Sequence, residues 1–537
     1  MADLKKLVLL CTLTMLALTG ASFAQQSLGA ATAADQVQND TSPALSDLVS
    51  AVGAPDTFSG DMNGDGPSNP YPVTLGANRA PGVPQGIQTQ NLPLAQATQT
   101  GNFPGLAIFA GGAGGFIPPD TVGAVGNGQF VQAVNSAFGV FDKNTGALLA
   151  PAAPTRTLWS GFGGDCETHN NGDAIVQFDK LASRWVISQF AINNGGPFYE
   201  CVAVSTTPNA LGTYNRYAFP YGTDFPDYPK VGAWPNAYYA TYNTFNAAGN
   251  AYLGAKICAL NRSAMLAGAP ANMLCFGNLP QYYSILPVDF DGTVPPAAGA
   301  DGLLLEQDST INPSTILHFF NIHPDFVTPA NTTGFVRNIT VPIFDQPCPN
   351  ASRGACVPQP ATATVLESLQ FHLMHRAAWR IAGGRESLMA SATTAVGNHA
   401  GIRWYELQNP STLSPVVFQA STYSPDAKWR WMPSIAMDKM GNIAVAYSVS
   451  DGVSTRPSIA MGGRLRSELR NVLEPEVTLW NGTGSQNGAY QRWGDYSAMT
   501  VDPADDCTFY FTTEYLAADH PYMWSTRISK FKFPNCH

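Results

Sequence analysis

The chain has 537 residues, a formal net charge of −10 and only 12% charged residues. The acidic balance argues against a nucleic-acid partner, which requires a basic face. With 50 Gly, 41 Pro, ten Trp, 20 Tyr and 28 Phe, the composition favours short strands and turns over helices.

In chain order, Lys5 and Lys6 precede the apolar run 7–18, and Ser22-Phe23-Ala24 places small residues where a signal peptidase reads. Residues 1–24 therefore read as a secretory signal peptide removed after Ala24. The run is too short for a membrane anchor, and Cys11 within it lacks the preceding small residues of a lipoprotein signal. No later stretch is long and apolar enough to span a bilayer. The expected destination is the periplasm or the extracellular space.

Residues 25–100 are rich in Ala, Gln, Thr, Pro and Gly and poor in large apolar side chains. Such a segment buries too little surface to offset its ordering entropy, so it reads as a flexible, disordered N-terminal linker. Within it, Asp61-Met62-Asn63-Gly64-Asp65-Gly66 has the spacing that opens a calcium loop. Pro72, however, stands where the twelfth-position Glu belongs. A polar turn is the preferred reading, and calcium is the one cofactor the sequence suggests.

The domain proper is expected over 101–537. Strand-like runs bounded by turn residues begin near Phe116, among them 130–134, 174–178, 185–190, 238–242, 443–447 and 508–512. They recur as units that open at Asp120, Asp173, Asp227, Asp289, His372, Ser434 and Asp495, with spacings of 53, 54, 62, 83, 62 and 61 residues. This periodicity predicts an all-β fold: a single β-propeller of short antiparallel sheets, with seven blades. Six or eight blades, or a pair of β-sandwiches, are the alternatives. The last unit has room for about three strands, and Leu106-Ala107-Ile108-Phe109 is placed to supply the missing one and close the ring. The long spacing, which contains Cys348 and Cys356, accommodates a stapled insertion.

Without Cys11, the cysteines are Cys166, Cys201, Cys258, Cys275, Cys348, Cys356, Cys507 and Cys536. An even number in an exported chain suggests disulfides, and pairing of sequence neighbours is expected: 166–201, 258–275, 348–356 and 507–536.

The segments 118–123, 172–176, 184–190, 401–406 and 492–497 (PPDTVG, GDAIV, RWVISQF, GIRWYE and RWGDYS) resemble a group of uncharacterised secreted bacterial sialidase-like (BNR-like) β-propeller proteins. The resemblance extends over most of 115–537 and implies a fold and secretion, but no catalytic residue. Sialidase chemistry needs three convergent arginines, a Tyr–Glu pair and an acid. Arg184, Arg376, Arg403, Arg430 and Arg492 are arginines to test for it, and Tyr496 lies beside Asp495.

In a propeller the blade openings gather at the central channel. Asp120, Asp173, Asp227, Asp495, Arg492 and Trp493 are therefore the candidate ligand-binding residues at its mouth. Converging carboxylates bind cations or serve as acid and base; the plainer reading is that each Asp shapes the turn before its strand. Two aromatic–basic clusters, 428–431 and 491–493, suit either sugar binding or packing between blades. No GxSxG, P-loop or HExxH motif occurs. The sequence thus points to a monomeric extracellular protein that binds a carbohydrate or protein. A sialidase-like glycoside hydrolase and a structural cell-surface protein are the alternatives.

Overall fold

The strands beyond residue 120 show little of the in–out alternation of a half-exposed sheet. Ile175–Asp179, Tyr238–Phe245 and Ile443–Ser450 are buried at every position, which requires protein on both faces of each sheet. The computed structural model describes residues 25–50, 60–61, 74–75, 86–91, 97–110, 115–370 and 372–537. The expected signal peptide and residues 62–66 of the calcium-loop candidate lie outside the described residues.

The described residues form an all-β fold of several antiparallel sheets. The first sheet is Val122–Val125, Gln129–Val134, Ala137–Asp142 and Ala153–Pro154. The second runs from Ile175–Asp179 to Tyr214–Gly222, and the third from Phe225–Ala233 to Asn272–Leu279. The fourth, Leu286–Phe290 to Thr333–Phe344, is continuous with the fifth, Ala377–Ala382 to Val416–Tyr423, through parallel pairing of Val288 with Ala377. The sixth is Trp429–Met437 to Val477–Trp480. The seventh begins with Ala498–Val501, Phe509–Leu516 and Trp524–Lys532, and its outer strand is Thr98–Ala107, from far earlier in the chain.

The first strand of each sheet touches the first strand of the next, and Ala498–Val501 touches Val122–Val125. The apolar core follows the same circuit. One cluster joins the first three sheets, a second the third to fifth, a third the fifth to seventh, and a fourth the seventh to the first. Trp159, Trp185, Trp234, Trp379, Trp404, Trp431 and Trp493 are fully enclosed.

The expected spacer is ordered over its first residues. Gln38–Thr41 pairs with the outer strand of the second sheet, Thr32–Asp35 with that of the third, and Gln26–Ser27 with that of the fourth. Farther on, Ile87–Gln88 pairs with the outer strand of the fifth. Composition misleads here because an outer strand exposes backbone N–H and C=O groups, and any non-proline backbone can satisfy them. Asp40 anchors this segment by a bidentate pair with buried Arg216, at 2.8 and 2.6 Å. Leu45 and Val49 of the short helix Leu45–Ser50 join the core.

All four expected disulfides are formed: Cys166–Cys201, Cys258–Cys275, Cys348–Cys356 and Cys507–Cys536. Among the described residues no helix is long and apolar enough to cross a membrane.

Glu200 in the second sheet is enclosed, and the Ser188 hydroxyl beside it offsets only part of its lost hydration. Burial pushes it up to about 8. Because the folded chain holds this proton more tightly than the unfolded one, stability falls as pH rises from about 4.5 to 8. Glu200→Gln should therefore raise the thermal midpoint at pH 7.5, by on the order of a few kcal/mol of unfolding free energy. The gain should shrink toward pH 5, as thermal unfolding across that range would show.

Candidate functional site

Every expected unit opening falls at or near the first strand of a sheet. Asp120 and Asp173 stand just before theirs with φ of +47° and +45°, and Tyr228 and Met432 take the same left-handed conformation at bulges in the third and sixth sheets. Asp is among the few non-glycine residues that tolerate this geometry, which suits it to these two positions; Asp227, Asp289 and Asp495 are not in it.

Three of the predicted aspartates do meet. Asp120 accepts the Asp495 N–H at 2.7 Å through Oδ1 and the Asn135 amide through Oδ2. Asn135 Oδ1 accepts the Asp173 N–H at 3.0 Å. The Tyr496 hydroxyl lies 3.3 Å from Asp173 Oδ2 and donates to the Pro229 carbonyl at 2.9 Å. Tyr228 donates to the Asp495 carbonyl at 3.0 Å, and its hydroxyl is 2.8 Å from His372 Nε2. Lys230 Nζ sits 3.2 Å from the Tyr228 ring centroid. The Asp120–Asp495 and Asn135–Asp173 bonds join neighbouring sheets, whereas those of Tyr496 and Tyr228 run across the circuit, from the seventh sheet to the second and third and from the third to His372 before the fifth.

Deeper along the first strands the interior is also filled. Lys180 reaches Asp291 at 2.6 Å, and Arg376 contacts both Asp289, at 2.7 Å, and Asp291, while donating to the Met499 carbonyl at 3.0 Å.

The insertion between the fourth and fifth sheets covers the cluster. Stapled by Cys348–Cys356, it crosses to the sixth and seventh sheets. Gln359 and Gln486 exchange side-chain-to-backbone bonds at 3.1 and 2.7 Å, and Ser450 Oγ donates to the Pro358 carbonyl. Glu367 Oε1 accepts from Arg492 Nε and from the Trp493 N–H, both at 2.8 Å. The other predicted residues are explained by this cover. Arg492 bridges Glu367 and, at 3.3 Å, Asp495. Trp493 has 0% exposure, packs tilted against Trp431 with ring centroids 5.5 Å apart and donates to Ser448 at 3.1 Å. Asp227 is buried within its strand near Lys230.

Burial governs the electrostatics. It drives Lys230 well below its ordinary value although Asp495, Asp173 and Asp227 oppose the shift. His375 is pushed down to about 3 by burial, with Arg376 and Lys230 adding to the effect. Tyr496 is raised far up by burial and by Asp173, and burial does the same to Glu514, which receives the Gly494 N–H. For Asp291 burial acts upward, but Arg376 and Lys180 outweigh it and hold the carboxyl well below the usual range.

The arrangement is that of a bonded plug. Its carboxylates accept N–H and O–H donors, and among the described residues no group of three or more His, Cys, Asp or Glu is placed to hold a metal ion. The five arginines weighed for sialidase chemistry are engaged separately. Arg184 bonds the Ala182 and Ser183 carbonyls, Arg403 bonds the Ile343 carbonyl, and Arg430 pairs with Asp426 and Glu476. Arg376 and Arg492 are held as described above. Sequence reasoning missed Tyr228, Lys230, Glu367 and Glu514. None stands at a unit opening, and Glu367 arrives from an insertion whose path no local pattern encodes.

No protein-family model matches the chain, and no curated protein matches it. Among solved structures, it is similar to the N-terminal domain of Nup159 at 10% identity and a TM-score of 0.37, covering 84% of this chain and all of that one. The Trypanosoma rangeli sialidase matches at 10% identity and 0.32, over 67% of this chain and 54% of the sialidase. The endo-arabinase of Bacteroides thetaiotaomicron matches at 16% and 0.29, over 56% and 95%. Likeness this faint assigns neither ligand nor reaction.

Glu367→Ala should strip a buried partner from Arg492 and one anchor from the cover. The expected loss is about 3–5 kcal/mol of unfolding free energy, measured by denaturant titration. A loss below about 1 kcal/mol would show that the pair contributes little to the fold.

Proposed function

We propose that this chain is a secreted, seven-bladed β-propeller that binds an extracellular carbohydrate or protein and catalyses no reaction at its axis. The cyclic order of first-strand contacts supports the blade count, as does the way Thr98–Ala107 completes the last sheet and hides its edge. The apolar run at 7–18 and the four disulfides support export.

One observation carries the non-catalytic reading. The side chains that an axial enzyme would present to substrate are enclosed: Asp120 and Asp173 at 2% exposure, Asp495 at 6% and Tyr496 at 1%. They are bonded to one another beneath the insertion. A general acid or base must come within hydrogen-bond reach of its substrate, and this end of the axis offers no such approach. Recognition then falls to the loops and clefts of the outer surface.

The mature protein should be tested on glycan and extracellular-protein arrays, alongside a panel of fluorogenic glycosides and an Asp495→Asn variant. Binding without turnover is the expected result. Turnover that Asp495→Asn abolishes would overturn this reading in favour of a glycoside hydrolase, and absence of any binding would leave a structural surface protein in its place.

A further inference from the structure

An arginine-rich feature lies at the far ends of the fifth and sixth first strands, away from the covered cluster. A cleft of about 210 Å³ is formed there between the two sheets, and four arginines line it: Arg385, Arg464, Arg466 and Arg470. None of the four makes an ion pair with a carboxylate among the described residues. Two acids share the cleft, but other donors hold them. Glu406 accepts Ser387 at 2.7 Å, Gln419 at 2.5 Å and Gln408 at 3.3 Å, and Glu468 accepts the Leu465 N–H at 2.8 Å.

The arginines are positioned rather than loose. Arg464 closes the strand Ser458–Arg464 with 3% exposure; its Nη2 bonds the Glu468 carbonyl at 2.6 Å, and its buried Nε has no partner. Arg466 lies against two turn glycines, Gly383 and Gly441, with φ of +55° and +84°, where a Cβ would collide with its side chain. Arg385 and Arg470 flank the Phe418 ring at 5.0 and 3.8 Å. This contact orders long side chains that otherwise lose much rotamer entropy on binding. Glu406, Glu468 and Glu474 already favour the Arg464 charge while Arg470 opposes it; the exposed guanidiniums of Arg385, Arg466 and Arg470 are left to face a ligand, and a guanidinium fork suits the planar or tetrahedral oxygens of carboxylate, sulfate or phosphate.

We propose that this cleft is a binding site for an oxyanion group carried by an extracellular anionic polysaccharide. The volume is below the roughly 300–1,000 Å³ of a drug-sized pocket and suits one charged unit of a longer chain. A flat acidic protein surface would meet the exposed Arg385, Arg466 and Arg470 but not the buried Arg464. The inference goes beyond the reading above by assigning a place and a ligand class, and rests on it only in that the chain binds rather than cleaves.

The test is calorimetric titration of the mature protein with a sulfated oligosaccharide, an oligouronate, a neutral oligosaccharide of equal length and inorganic phosphate. Arg385→Gln/Arg470→Gln, at exposed positions, should fold with an unchanged thermal midpoint and weaken binding of a charged oligosaccharide at least about tenfold. Arg464→Gln should weaken binding as well, with a lower thermal midpoint because its buried bonds to the Glu468 and Leu469 carbonyls are lost, and affinity should fall with added salt. The two charged sugars distinguish sulfate from carboxylate as the preferred group. Failure of both to bind, or equal affinity in the double variant, would overturn the proposal. Binding of the neutral sugar alone would overturn it while leaving the ligand-binding reading intact, and turnover would reject that reading separately.

Discussion

A small antiparallel sheet that is apolar on both faces is unstable until each face meets another sheet, and each of its edges remains a row of unsatisfied backbone groups. Most features of this molecule follow from meeting those two demands together. Apolar contacts pass from sheet to sheet around a complete circuit. The edges are met by strands from the N-terminal region, which supplies the outer strand of the seventh sheet and extra strands to the second, third, fourth and fifth.

The second consequence concerns charge. Although only 12% of the residues are charged, many of those charges are inside, placed where sheets meet. Lys143 pairs with Asp502 across the first and seventh sheets at 2.7 Å, Arg262 with Asp179 across the second and third at 2.7 Å, and Arg380 with Asp506 across the fifth and seventh at 2.6 Å. Buried pairs of this kind add little net stability over apolar packing but penalise misalignment heavily, since a stranded charge is costly. The arginine-lined cleft departs from this pattern: among the described residues its four guanidiniums form no close ion pair, although Glu406, Glu468 and Glu474 act on Arg464.

The periodic openings and the cysteine pairs could be read from the chain, because each is a local or repeated property; the closing strand, expected at 106–109, is Thr98–Ala107 and begins within the expected linker. A strand run, a turn residue and a loop stapled within 8 to 35 residues leave their mark in neighbouring positions. The aspartates at the openings were equally visible, and three of them do converge. Their role was not visible, because it depends on what lies above them. Glu367 and His372 come from the insertion between the fourth and fifth sheets, and they turn an open mouth into a closed, hydrogen-bonded cluster.

The amino-acid sequence by itself therefore determined the all-β class and the rhythm of the sheets, and favoured the neighbour pairing of cysteines that the structure then fixed, since periodicity and spacing are carried by the chain one segment at a time. Tertiary structure alone decided that a polar N-terminal stretch, read as an unordered spacer, becomes edge strands, because backbone pairing is indifferent to side-chain composition. It alone also decided that the candidate mouth is enclosed and that Arg385, Arg464, Arg466 and Arg470, contributed by two different sheets, come to share one cleft. Burial and convergence are properties of what the rest of the chain brings alongside a residue, and no local pattern records them.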